Sequence, residues 1–225
     1  MNLQQPVLWG GLIGISAAIG LLGLGHPPTL AQPTAVTANP LAGWKAFQGN
    51  GIELWLPDTF RGGSPTAADA AILIQAIKTL GPEYAQIARL VEQNPRAFVL
   101  FAVDPTPNQA GGVTNVLVAA EKIPSLVTLE MYLSSMAQLL PAQIQILDRT
   151  IVSMKSYQAG RLVTQAQAPN ITVKQLIYVI KQGDRIWTIG YSTGADEYTQ
   201  RLPVFEQSIA TFKTQAGQAI GLMAR

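Results

Sequence analysis

Between Ile171 and Lys213 the side chains fix a strand register, a turn and a closing helix together, and this stretch constrains the rest of the chain. With Gly183 and Asp184 as the central residues of a tight hairpin, Gly183 supplies the positive φ that a type II′ turn needs at its first central position. Ile180 then faces Trp187, Tyr178 faces Ile189 and Leu176 faces Tyr191, so six large residues share one face of a ribbon. A register shifted by one residue would scatter them. Beyond Thr193 the apolar period lengthens. Leu202, Phe205, Ile209 and Phe212 recur at helical spacing and form a stripe suited to covering that aromatic face. These residues specify a core rather than a catalytic site.

The chain has 225 residues, enough for one domain that buries a real core without covalent staples. It contains no cysteine, which excludes a disulfide framework, a thiol nucleophile and a thiolate metal site. The single histidine, His26, precedes the expected domain. The formal charge of +2 arises from dispersed Lys, Arg, Asp and Glu. No basic run of the kind that tracks a phosphate backbone is present, so nucleic acid is not an expected partner.

Val7 to Gly25 is uncharged and apolar, and small residues follow at Thr29 and Ala31. Residues 1–31 therefore read as a signal peptide cleaved after Ala31 or, since the run is about long enough to span a bilayer and no basic residue precedes it, as a membrane anchor. The absence of cysteine excludes a lipoprotein. Residues 32–43 continue a proline-rich, uncharged linker, and residues 44–215 form the expected domain, followed by a tail at 216–225.

Within the domain, Asn50-Gly51 between apolar runs predicts a hairpin, with Ile52, Leu54 and Leu56 on one face, Trp55 on the other and Pro57 ending the strand. Thr66 to Gln93 reads as a helical hairpin, with a capping box at Thr66 and a break at Gly81-Pro82. Arg96 to Val103 is apolar at nearly every position and is expected as a central strand covered on both faces. It is joined to a strand over Val113 to Glu121 by the irregular run Asp104 to Gly112. Thr128 caps a helix that buries Leu129, Tyr132, Met136 and Leu140. Ile144 to Ile151 and Leu162-Val163 read as two further strands, with a bend allowed by Gly160.

The run Ala159-Gly160-Arg161-Leu162-Val163, the hairpin from Gln175 to Ile189 and the closing Phe205 to Lys213 resemble the PsbP-like family, which includes extrinsic proteins of photosystem II and exported bacterial relatives. The resemblance implies an α+β domain, an antiparallel β-sheet sandwiched between helices, to which this chain adds the helical hairpin. It also implies export to a thylakoid lumen or periplasm. It assigns no functional residue, and this chain lacks domain histidines.

Catalysis requires a nucleophile, base or metal within reach of a partner. The carboxylate pairs Glu53 with Asp58 and Asp196 with Glu197 read as turn and helix-start residues, and Ser134-Ser135 lacks an elbow or a base. The expected function is that of a non-catalytic exported accessory or assembly protein, without cofactor or metal, docking on a membrane protein complex related to photosystem II. The alternative is a carrier of a small apolar ligand. Candidate partner-binding residues are Trp44 and Trp55, as aromatics that a compact core need not hold, and Asp58, Arg61, Asp104 and Asn108, in the two loops longest for their positions. The outer sheet face is a further expected docking surface.

Overall fold

The computed structural model describes residues 41–64, 92, 98–107, 113–154, 157–167 and 172–214. Ten strands and two helices lie among these residues. They are β1 (Trp44–Gly49), β2 (Ile52–Pro57), β3 (Arg61–Gly63), β4 (Phe98–Pro107), β5 (Val113–Lys122), α1 (Leu129–Leu139), β6 (Ile144–Ser153), β7 (Gln158–Gln167), β8 (Thr172–Gln182), β9 (Arg185–Gly194), α2 (Tyr198–Ala210) and β10 (Lys213–Thr214).

The hairpin of β8 and β9 has the register read from the sequence, with Ile180 opposite Trp187, Tyr178 opposite Ile189 and Leu176 opposite Tyr191. Gly183 carries φ +61 and Asp184 has no positive φ, which is the sign pattern of a type II′ turn. The first hairpin closes with Gly49 opposite Ile52, and its positive φ falls on Gly51. Thr128 caps α1, its hydroxyl accepting from the Met131 amide at 3.2 Å, and Leu129, Tyr132, Leu133 and Met136 are buried.

The architecture corrects the expected one. Seven antiparallel strands in the order β3-β4-β5-β9-β8-β7-β6 form the main sheet, and β1-β2-β10 form a second. The described residues are mostly β, and among them the main sheet is not sandwiched between helices: α1 lies on one face, and the second sheet shares the other with α2. The first hairpin leaves the main sheet because Ile52, Leu54 and Leu56 bury themselves against its aromatic face beside Phe205 and Ile209. Strand β10 then returns to β2, pairing Lys213 with Glu53. The helical hairpin over Thr66 to Gln93 falls on residues that, apart from Glu92, lie outside those described, as do the leader, the linker up to residue 40 and the tail.

Two smaller expectations also change. Strand β4 is covered on both faces, Phe98 and Val103 on the α1 side and Leu100 and Ala102 on the α2 side, but it is second from the edge, and β9 is central. Gly160 lies inside β7 rather than at a bend. A Cβ there would stand 2.5 Å from Leu133 Cδ1, so its missing side chain is what admits α1 to the sheet.

Because both faces are covered, β8 is apolar in both phases: Val173, Ile177 and Val179 point to α1, while Leu176, Tyr178 and Ile180 point to α2. The outer sheet face expected for docking is thus interior at the central strands and open only along the edge strand β6, at Arg149 and Ile151. On the α1 side a buried polar row crosses three strands, Thr164 donating to Gln175 and Gln175 donating at 2.7 Å to Ser192. These bonds pin strand register where the apolar pattern alone is permissive.

Candidate functional site

Three of the expected binding residues meet where β2 ends. Pro57 stops the strand, and the chain turns through Asp58 and Thr59 into β3, with the Phe60 amide donating to the Pro57 carbonyl at 3.0 Å. Phe60 is 1% exposed and anchors this turn in the core. The Asp58 amide donates to the Gly43 carbonyl at 2.9 Å, tying the turn to the start of β1.

Side chains brace the same corner. The Arg61 guanidinium folds back and donates through Nη1 to the carbonyls of Asp58, Thr59 and Phe60, the last two at 3.0 and 2.9 Å. Lys45 Nζ donates to the Asp58 carbonyl at 3.2 Å and lies over the Phe47 ring. Burial and the repulsion of Arg61 lower the Lys45 ammonium below its ordinary range, and the Asp58 carboxylate offsets part of this. Asp58, Thr59 and Arg61 are exposed, and Trp44, opposite Pro57, is half-buried. The result is a stiff turn that presents two cations, a carboxylate and part of an indole. Such an arrangement is suited to recognising a polar surface with little ordering cost, because the backbone is already held.

Of the six expected binding residues, the structure brings Trp44, Asp58 and Arg61 together here. Trp55 is not a surface anchor: it is 5% exposed, and its indole N–H donates to Glu53 Oε1 at 3.0 Å. Asp104 is also interior. Its Oδ2 accepts from Arg201 Nη1 at 2.8 Å and its Oδ1 from the Thr106 amide at 3.1 Å. It follows Val103, the β4 partner of Arg61, so this buried carboxylate lies on the strand beside the corner while Arg201 reaches it from α2. Asn108 lies outside the described residues.

The carboxylate pairs separate as well. Glu53 serves Trp55 and Lys213, whereas Asp196 accepts the Glu197 amide and Glu197 pairs with Arg201 at 3.5 Å. Lys45 and Arg201 were not singled out in the sequence. Lys45 is the first charged residue of the domain, which marks it weakly, but nothing local signals that Arg201 meets Asp104.

No family model matches the chain, and no curated protein matches its sequence. Among solved structures the chain is similar to cyanobacterial PsbP (CyanoP) from Synechocystis sp. PCC 6803, at 13% identity and TM-score 0.49, over 80% of this chain and 98% of that one. It is also similar to LpqN of Mycobacterium tuberculosis, described as involved in cell envelope biogenesis, at 14% identity and TM-score 0.43, over 72% of this chain and 82% of that one. Among the described residues, no helix is long and apolar enough to cross a membrane.

Proposed function

We propose that the protein is a non-catalytic accessory protein, exported to a thylakoid lumen or periplasm, that docks on a membrane protein complex through the corner formed by Trp44, Lys45, Asp58 and Arg61. The observation that carries this reading is the bracing of an exposed, charged turn by three carbonyl contacts from Arg61 and one from Lys45. The apolar leader and the PsbP-like closing pattern of the sequence support export and a photosystem-type complex as the partner. Contacts of this polarity weaken with salt.

The test is migration on native gels of gently solubilised membranes, for the wild type and for Lys45→Glu with Arg61→Glu. The wild type is expected in a large assembly at low salt and free after a high-salt wash, with the double variant free under both conditions. A wild type that always runs as a free monomer overturns the docking role. A double variant that stays bound moves the contact away from this corner.

A further inference from the structure

The corner at the end of β2 holds two cations on one oxygen. Lys45 Nζ, at 3.2 Å, and Arg61 Nη1 both donate to the Asp58 carbonyl, so two like charges are kept within two hydrogen-bond lengths of each other. Among the described residues, no carboxylate lies within ion-pair distance of either cation. The carboxylate on the neighbouring strand, Asp104, is engaged by Arg201.

The guanidinium of Arg61 is planar, with its three nitrogens spread around one carbon. Nη1 alone serves the turn, meeting the carbonyls of Asp58, Thr59 and Phe60. The edge opposite Nη1 is formed by Nε and Nη2, and among the described residues it bonds nothing. Arg61 is exposed, so this edge is open to a partner. Its two parallel N–H groups match the two oxygens of a carboxylate.

Resting on the docking role of this corner, we propose that the Nε–Nη2 edge of Arg61 is a carboxylate clamp, on which the partner places an Asp or Glu side chain from an acidic segment. Two cations against the single carboxylate of Asp58 leave one positive charge uncompensated, and a monoanion neutralises it. A phosphate group brings roughly two charges and meets the Asp58 carboxylate beside the fork, so a protein carboxylate is the better match. The three carbonyls already hold the guanidinium in place, so little side-chain freedom is lost on binding. Repulsion by Arg61 adds to burial in lowering the Lys45 ammonium below its ordinary range, and an anion on the fork relieves that repulsion.

Each side chain then has a separate part. Arg61 supplies the fork, Lys45 adds charge beside it, and the Asp58 side chain opposes an incoming anion. The carbonyl of Asp58, not its carboxylate, holds both cations. Asp58→Asn therefore leaves the bracing in place and should strengthen anion binding, which a purely structural role of this residue does not produce.

The test is a titration of the purified full chain at low salt with a peptide of four glutamates, acetylated and amidated at its ends, while NMR follows the Arg61 Nε–H resonance. A saturable shift is expected, and the corresponding glutamine peptide should produce none. Arg61→Lys keeps the charge but lacks the fork, and should weaken binding of the glutamate peptide, read at the Trp44 indole, on the order of 3- to 10-fold. Asp58→Asn should tighten it by about 2- to 5-fold. A wild-type Nε–H that the glutamate peptide does not move overturns the clamp, and that measurement needs no variant to fold. Tighter binding of inorganic phosphate than of the glutamate peptide on the same edge overturns the carboxylate assignment, and Arg61→Lys binding as tightly as the wild type overturns the fork. On native gels, a wild type that runs free while the Nε–H shift persists removes the docking role and leaves the clamp, whereas a docked wild type without that shift does the reverse.

Discussion

The two faces of the seven-stranded sheet are closed by different means. On the α2 face, polar bonds stitch three elements together around an aromatic core. Tyr191 donates to Ser208 at 3.0 Å, Ser208 donates to the Trp55 carbonyl at 2.7 Å, and the Trp55 amide donates to Thr211 at 2.9 Å. Arg161 bridges Asp148 and Glu206, and Tyr178 donates to the same Glu206. On the α1 face the helix rests on apolar side chains and a glycine-made hollow. Hydrogen bonds with fixed partners allow one arrangement, whereas apolar contacts tolerate sliding and lifting. The α2 face is therefore the more fully tied of the two, and α1 is expected to open before it.

The largest effect that would break this contrast is at Trp187, which is 4% exposed, packs edge-on to Phe212 at 6.2 Å and belongs to the α2-side core. Trp187→Ala should cost about 3–5 kcal/mol, read by chemical denaturation. An unchanged melting temperature would remove the aromatic face from the core. Next, Arg201→Met strands the Asp104 carboxylate at 3% exposure. Because Arg201 is itself partly exposed, the loss should fall somewhat below the roughly 3–5 kcal/mol seen when a fully buried pair is broken.

The hairpin register was legible because its signal is local: one glycine sets the turn, and three cross-strand pairs have to agree with it. The cap of α1 and the stripe of α2 were legible for the same reason. What was not legible is non-local. No periodicity announces that β10 returns to β2, so Trp55 read as a surface aromatic, yet its backbone bonds to Ser208 and Thr211 place it under α2. Asp104 likewise read as a loop ligand because its partner is 97 residues away. The corner at Asp58 and Arg61 was visible as a polar loop, but its bracing by Lys45 was not.

Two smaller changes sharpen the contrast. Ser208→Ala should cost about 1–3 kcal/mol, since it leaves the Tyr191 hydroxyl and the Trp55 carbonyl without the group that joins them. Gly160→Ala should cost roughly 1–3 kcal/mol by driving a methyl into Leu133. Adding Leu133→Ala to that variant should cost less than the two changes summed, because the cavity relieves the clash. Strict additivity would mean that α1 does not rest on Gly160. The smallest effect is expected at the corner: Lys45→Glu removes one bond to the Asp58 carbonyl and the cation over Phe47 and should cost about 0.5–1 kcal/mol, read by chemical denaturation.

Native-state hydrogen exchange at fixed pH over a range of low denaturant concentrations tests the difference between the faces most directly. Amides of β8, β9 and α2 are predicted to exchange only through global unfolding, with a steep denaturant dependence. Those of α1 are predicted to exchange through a smaller opening with a shallow dependence. A single opening free energy shared by α1 and α2 would contradict the account.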